Sequence, residues 1–323
     1  MKKILYIGDK FYGYENEIIE EFSKYGKVFP IFTNIDKKHL IICKILSSIF
    51  LSKKAKEYLE LIKIKNISNQ LESLNLVKID ILFCIPNGYT SKEQLNFIKS
   101  KIFKIDKKIL YFWDTLNKFK KIDYCSFFDE IYSFDMRECK ENDFIFKPTF
   151  YSKRLKKESN YLYDIVFIAE YSMERAKIIK DILNLKLRED ITKFIYLYKN
   201  FLEFFYIFFK NVKILKDLKY IKFKRIKKEK YNEIINSSQI LIDIVPQNQQ
   251  GLTQRVLDSL YLEKKIITNN KAIKEYDFYD ENNILLIDNE AYHIEKFFKT
   301  KYKKISKKII KKYSIQEWIK DFI

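Results

Sequence analysis

Glycine and proline are scarce, with 5 Gly and 4 Pro in 323 residues. That excludes a collagen-like, disordered or linker-rich chain. Cysteine is scarce too. Cys43, Cys84, Cys125 and Cys139 form no C-x-x-C pair and belong to no Cys/His cluster with metal-ligand spacing. They read as small buried apolar residues in a reducing compartment. The 2 histidines, His39 and His293, lie far apart, and no D-x-D triplet stands at a strand end. Neither a zinc nor a magnesium site is expected. Long apolar runs are missing as well. Residues 41–51 are apolar around Lys44 but far too short to span a bilayer, so they read as a buried or interfacial helix. The start, Met1-Lys2-Lys3, resembles a signal peptide, but its apolar run is cut off at Asp9 and reads as a first strand. The expected location is cytoplasmic.

What is present is bulk and positive charge. At 323 residues and 47% apolar, the chain can build two domains with sizeable cores. There are 62 Lys and Arg against 43 Asp and Glu, a formal net charge of +19. Such a surplus attracts polyanions: a nucleic acid, an anionic membrane face or an anionic substrate. The wealth of Ile, Lys, Asn, Tyr and Phe is also the imprint of AT-rich coding, which discounts any argument from lysine counts alone. A nucleic-acid-binding or non-catalytic Rossmann-type interaction protein is the alternative reading. No helix-turn-helix, zinc-finger or RNP-like string accompanies the charge, and the basic residues spread over the whole chain. Nucleic acid is therefore not the expected partner.

Short apolar runs alternate with helix-like segments twice over. In the first half, strands are expected at residues 3–8, 28–33, 80–85, 108–113, 130–134 and 144–146. Helices are expected at 15–25, ended by Gly26, at 39–62 as one or two helices, and from the Ser91 cap to 103. Residues 151–161 are charged and hold no convincing element, which places a domain boundary there. A second set follows: strands at 164–169, 193–198, 220–224, 239–244, 265–268 and 283–287, with helices after Ser172, at 202–215, 229–237 and 253–262. Strands separated by helices at this spacing imply parallel sheets with covered faces. The fold class is α/β, with two Rossmann-like domains. The first takes residues 1–150 and the second 151–300. Residues 301–323, rich in lysine with Ile305, Ile309, Ile310 and Tyr313 interleaved, read as a basic amphipathic helix. It either lies on an anionic membrane or docks back on its own protein, on the N-terminal domain.

The stretch from 238 to 288 carries the chemistry. A strand leads into Pro246-Gln247-Asn248-Gln249-Gln250-Gly251-Leu252, then into a helix from Thr253. Ligands of open α/β sheets bind at this carboxyl edge, and a helix amino terminus favours phosphate. Gly251 permits close backbone approach to a diphosphate, and Gln250 and Leu252 flank it. Thr253 stands at the N-cap, and Arg255 can fork onto phosphate. Asp258, one turn on, can accept both hydroxyls of a ribose. An ordinary capped helix with a surface Arg255–Asp258 pair accounts for the same spacing.

The runs Leu241-Ile242-Asp243-Ile244, Gln250-Gly251-Leu252-Thr253-Gln254-Arg255-Val256-Leu257-Asp258 and Lys264-Lys265-Ile266-Ile267-Thr268-Asn269 resemble the donor segment of bacterial glycosyltransferases for capsule and lipopolysaccharide. Tyr276-Asp277-Phe278-Tyr279 and, in the first half, Tyr111-Phe112-Trp113-Asp114 and Ile131-Tyr132-Ser133-Phe134-Asp135 continue the likeness. The resemblance implies the GT-B architecture, two Rossmann domains facing across a cleft. It implies sugar transfer from a nucleotide-sugar to a glycan or glycolipid acceptor, with no cofactor and no metal. The family's ribose contact is usually Glu where this chain has Asp258, and its glycine before the next strand is here Leu262-Glu263. In similar enzymes basic residues of the second domain's first helix help hold the diphosphate, which brings in Arg175. An inverting transfer needs a general base from the N-terminal sheet. Asp9, after strand one, is the first candidate and Asp114, after strand four, the second. A retaining transfer needs neither.

Overall fold

The computed structural model describes the chain except residues 49–50, 75–76, 120–121, 159, 185–190, 211 and 288–292. Asp288, the expected end of the donor stretch, lies outside the described residues. The chain divides into two compact units, Met1–Thr149 with Ile315–Ile323, and Phe150–Ser314. Each is an α/β unit built on a six-stranded parallel sheet.

In the first unit the strands are β1 (Lys2–Gly8), β2 (Gly26–Phe32), β3 (Lys78–Cys84), β4 (Lys104–Phe112), β5 (Glu130–Ser133) and β6 (Ile145–Phe146), in the order β2-β1-β3-β4-β5-β6. Helices α1 (Tyr14–Phe22), α2 (Lys37–Ser48), α3 (Ser52–Glu72), α4 (Lys92–Lys101) and α5 (Met136–Asn142) connect them. The strands are nearly continuous apolar runs because helices cover both faces. Leu5, Leu82, Leu110 and Phe112 meet Ile67 from α3 and Leu95 and Ile98 from α4 in one core. Ser91 caps α4 through a full capping box with Gln94. Gly26 does a different job from the one its position suggests. It is not the helix stop but the first residue of β2, opposite Lys2. A β-carbon there would stand 2.3 Å from the Lys2 carbonyl oxygen, so only glycine lets β2 close on β1. Residues 41–48 belong to α2, where Ile41, Ile42 and Ile45 are exposed. Among the described residues, no helix is long and apolar enough to cross a membrane.

The second unit holds β7 (Tyr163–Glu170), β8 (Lys193–Tyr198), β9 (Ile221–Lys222), β10 (Ser238–Asp243), β11 (Lys265–Thr268) and β12 (Ile284–Leu286), in the order β12-β11-β10-β7-β8-β9. Its helices are α6 (Met173–Asn184), α7 (Phe201–Lys210), α8 (Lys228–Asn236), α9 (Gln254–Leu262) and α10 (His293–Lys299). The chain runs outward from β7 to β9, then returns to lay β10 against the other side of β7. Strand order reverses there, and such a switch point opens a crevice at the carboxyl ends of the two strands.

The tail departs from the expected single helix. Residues 301–306 form no helix. Two short helices, α11 (Lys307–Lys312) and α12 (Ile315–Ile319), follow, with a turn between them. Tyr313 enforces that turn. Its hydroxyl donates to Asp277 at 2.6 Å and its ring packs edge-on against Phe278, while Ser314 bridges to Tyr151. Beyond it, Trp318 and Phe322 are buried within the first unit against Phe83 and Tyr111, with ring centroids 4.7–6.0 Å apart. The lysines of α11 remain solvated.

Candidate functional site

At the switch point of the second unit, three charged side chains converge. Asp243 ends β10 and is fully buried, at 0% exposure. Its Oδ1 accepts from Arg255 Nη2 at 2.7 Å, from Arg255 Nε at 3.0 Å and from the Thr253 hydroxyl at 2.7 Å. Arg255 also donates through Nη1 to the carbonyl of Ile168 in β7 at 3.1 Å. Its fork, expected to grip phosphate, is thus closed on a carboxylate of its own sheet. Arg175, in the first turn of α6, spans the same gap. Its Nε donates to the carbonyl of Ile244 at 3.0 Å and its Nη1 to that of Glu170 at 2.9 Å. Its Nη2 has no protein partner among the described residues. Burial and then the neighbouring Arg255 guanidinium lower the Arg175 pKa from its ordinary value, with Asp243 acting the other way. Two guanidiniums thus face one buried carboxylate, with Glu170 and Glu174 acting on Arg175 from farther off.

The helix start beside this cluster is not capped by a side chain, because the Thr253 hydroxyl is turned to Asp243. The preceding loop is held from β11. Asn269 pairs with both backbone groups of Val245, at 2.8 and 2.9 Å, and Asn270 donates to the carbonyl of Gln250 at 3.1 Å. Gln249 donates to the carbonyl of Gly251. Gly251 does not adopt the left-handed conformation, so its backbone geometry alone does not demand glycine. Leu252 points inward and packs in the core, so its side chain serves the fold rather than a ligand.

Asp258 is also corrected by its surroundings. It is at 0% exposure, and its Oδ1 accepts from the backbone N–H of Ser152 at 3.0 Å and from Gln254 Nε2 at 3.1 Å. Gln254 in turn donates to the carbonyl of Phe150 at 2.6 Å. This carboxylate fastens the 150–152 segment to α9 and has no exposed surface to offer a ribose. It is no surface partner of Arg255 either.

In the first unit, Asp9 and Asp114 line one cavity of about 370 Å³, with Phe11, Tyr14, Asn87 and Trp113. That volume is in the range of small-molecule sites. The switch point of this sheet lies between β1 and β3. Asp9 follows β1 and Asn87 follows β3, and Asn87 Nδ2 donates to Asp9 Oδ1 at 2.6 Å. The Thr33 hydroxyl donates to the same oxygen at 2.8 Å. Asp9 Oδ2 accepts no hydrogen bond among the described residues. Asp114 is instead ion-paired with Lys118 at 2.5 Å. Gly8 is needed beside Asp9, since a β-carbon there would lie 2.7 Å from the Tyr6 hydroxyl.

The residues that organise these sites, Asp243 and Asn87, were not among the sequence candidates. Asp243 had a signal: a carboxylate ending an otherwise apolar strand, 10 and 12 residues before a Thr and an Arg. Asn87, in Pro86-Asn87-Gly88, read only as a strand stop. Among the described residues, no three His, Cys, Asp or Glu side chains converge in a way that could hold a metal ion.

No protein-family model and no curated protein matches the sequence. Solved structures do. The chain is similar to the apo form of the lipopolysaccharide outer core galactosyltransferase WaaB, at 14% identity and a TM-score of 0.51, covering 99% of this chain and 98% of that chain. It is similar to a glycosyltransferase from Rickettsia africae ESF-5 at 14% identity and a TM-score of 0.55, covering 99% and 96%. The likeness runs through both units, and the chain therefore has the fold of these glycosyltransferases, two Rossmann-like domains in tandem.

Proposed function

We propose that the protein is a glycosyltransferase that moves a sugar from a nucleotide-sugar donor to a glycan or glycolipid acceptor in surface polysaccharide synthesis. The observation that carries this is the Arg175–Asp243–Arg255 cluster at the switch point of the second sheet, beside the uncapped start of α9. A leaving nucleoside diphosphate gains negative charge as the glycosidic bond breaks. Arg175 Nη2 and the first-turn N–H groups of α9 supply donors for it, and Asp243 holds Arg255 rigidly as background charge. In this reading the residues take the charge with no metal and no cofactor, at the inner membrane face or in the cytoplasm. The two solved neighbours, named as glycosyltransferases, support the class.

The acceptor side is assigned to the cavity of the first unit. Asp9 suits a general base better than Asp114: Thr33 and Asn87 fix one oxygen and leave the other without a hydrogen bond, while Asp114 is neutralised by Lys118. If the transfer is inverting, Asp9 Oδ2 takes the acceptor hydroxyl proton as the acceptor oxygen attacks the sugar carbon and the nucleoside diphosphate leaves with the bonding pair.

A thermal-shift screen against UDP, GDP, CMP and their sugar conjugates tests the donor site, since a ligand bound only by the folded state raises the melting temperature. One nucleotide class is expected to raise it, and EDTA is expected to leave that shift intact. Absence of any shift across all three classes rejects the reading.

A further inference from the structure

Helix α7, Phe201-Leu202-Glu203-Phe204-Phe205-Tyr206-Ile207-Phe208-Phe209-Lys210, turns two apolar faces in different directions. Phe204 is buried in the core, with Ile207 and Phe208 packed against it. The other face is exposed. Phe201 is 53% exposed, Tyr206 62% and Phe209 79%, with Phe205 also exposed. Phe201, Phe205 and Phe209 repeat at i, i+4 and i+8, so they form a single ridge. Neighbouring rings in it lie 4.7 and 6.4 Å apart. Phe223, after β9, extends the ridge at 5.3 Å from Phe201. Leu215 and Leu218 are exposed in the turn that follows α7. A folded chain does not leave so many aromatic rings in water without a use for them.

What surrounds the ridge identifies its partner. From Val212 to Lys228 the chain has eight basic residues, Arg225 among them, and one acidic residue, Asp217. Asp217 is buried, ion-paired with Lys180 and hydrogen-bonded by Tyr171. Lys216, Lys219, Lys222, Lys224, Arg225 and Lys227 are exposed. The one acid of α7, Glu203, is met by Lys199 at 3.0 Å. Within residues 201–228 the rim therefore presents positive charge with no exposed acid left unanswered, and Glu229, exposed at the start of α8, is the first acid beyond it. A ridge of aromatic rings fringed by lysines is complementary to an anionic bilayer: rings enter the acyl boundary while ammonium groups reach the headgroups. A nucleic acid would use the lysines but leave a continuous ridge of phenylalanine edges in water.

We propose that the outward face of α7 and the basic chain from 212 to 228 form a docking surface for anionic lipid membranes. The surface is separate from the Arg175–Asp243–Arg255 cluster and does not depend on the reaction proposed above. It also places membrane contact on α7 and the chain after it rather than on the lysine-rich tail, where Tyr313 is spent on Asp277 and Phe278 and the residues from Ile315 on are spent on the first unit.

The test is co-sedimentation of the full chain with vesicles of phosphatidylcholine alone and of phosphatidylcholine with phosphatidylglycerol, at low and high salt. The wild-type chain is expected to bind the anionic vesicles at least tenfold more tightly, and less so in high salt. Phe205→Ser with Phe209→Ser should lose most of that binding. Lys219→Gln, Lys222→Gln and Lys224→Gln together should lower it on the order of a hundredfold, at roughly fivefold per lysine, and flatten the salt dependence. Melting temperature and nucleotide-induced shift should match wild type in both variants, which separates this result from the donor-site reading. Equal binding to neutral and anionic vesicles, or full binding by the Phe variant, overturns the proposal. So does a Phe variant whose only change is a smaller oligomer, or phenylalanine-dependent binding to RNA in a chain that ignores vesicles.

Discussion

At the scale of the residue, Asp243 explains more than any side chain picked from the sequence. A carboxylate with no exposed surface can stay ionised only beside a cation and several donors. Arg255 and Thr253 supply them. From sequence spacing alone, Arg255→Ala should abolish nucleotide binding and leave the free protein unchanged. The structure predicts otherwise. Removing Arg255 strands a buried charge, which costs about 3–5 kcal/mol, so denaturant titration of the unliganded variant should show a large loss. Arg175 is the cleaner probe of the ligand. Arg175→Gln keeps polar groups near the carbonyls of Ile244 and Glu170, and should lose the nucleotide-induced shift while stability falls by only about 1 kcal/mol. If Arg175→Gln keeps the full shift, the phosphate assignment fails. Asp9 admits a similarly sharp test. In Asp9→Asn the amide oxygen can still accept from Thr33 and Asn87, so the cavity should persist. Turnover by an inverting transferase should drop by roughly 10²–10⁴, and full turnover in the variant would clear Asp9 of the role.

At the scale of the element, the sheets were legible because each strand is an apolar, β-branched or aromatic run closed by a polar residue or a turn. Most described strands lie on a run of that kind, down to Tyr220-Ile221-Lys222, while β4 begins at Lys104, four residues before the run expected at 108–113. Where the reading failed, the deciding contact was distant in sequence. Gly26 resembled a helix stop because helices often end in glycine, but its reason lies in the Lys2 carbonyl across the sheet. Gly26→Ala should therefore destabilise like an overpacked core position, by about 1–3 kcal/mol. Helix α5 gave no apolar period, since Met136-Arg137-Glu138-Cys139 is held by its Asp135 cap instead. The site was legible as a place but not as a set of bonds: spacing pointed to the loop before α9, yet could not show Arg255 turning to Asp243 or Asp258 facing Ser152. The pair opening β11 has a measurable consequence. Lys264 is buried against the carbonyls of Asn236 and Ser238, and Lys265 against those of Phe297 and Thr300. Burial lowers both pKa values from 10.5 to about 8. Between these values the unfolded chain binds more protons at these two lysines than the folded one, so their contribution to stability should grow with pH above about 8. Denaturant midpoints at pH 8 and 9.5 check this, and Lys264→Met should reduce the slope. Cys84, Cys125 and Cys139, and above them the buried tyrosines, have pKa values raised by burial and act with the opposite sign, so the lysine contribution is read as the difference in slope between wild type and Lys264→Met.

At the scale of the whole molecule, the positive charge is not one feature. The lysines of α11 are solvated, those after α7 rim an aromatic ridge, and Lys264 and Lys265 are internal. A net charge of +19 therefore does not identify a partner, and only the segment where charge meets exposed rings does so. The tail shows the same division between charge and packing. The chain passes between its units twice, after Thr149 and after Ser314, and its last residues complete the first unit's core through Trp318 and Phe322. If the tail is held by those rings and not by its lysines, the two kinds of change must separate. Trp318→Ala removes a ring at 1% exposure and should cost about 3–5 kcal/mol. Replacing Lys307, Lys308 and Lys311 with Gln should change stability by less than about 0.5 kcal/mol. Two domains unfold as two transitions when each has its own core. In calorimetry, Trp318→Ala should lower the transition of the first unit, while the one raised by nucleotide, assigned to the second, should stay in place. A Trp318→Ala chain that melts like wild type would show that the tail only rests on the first unit.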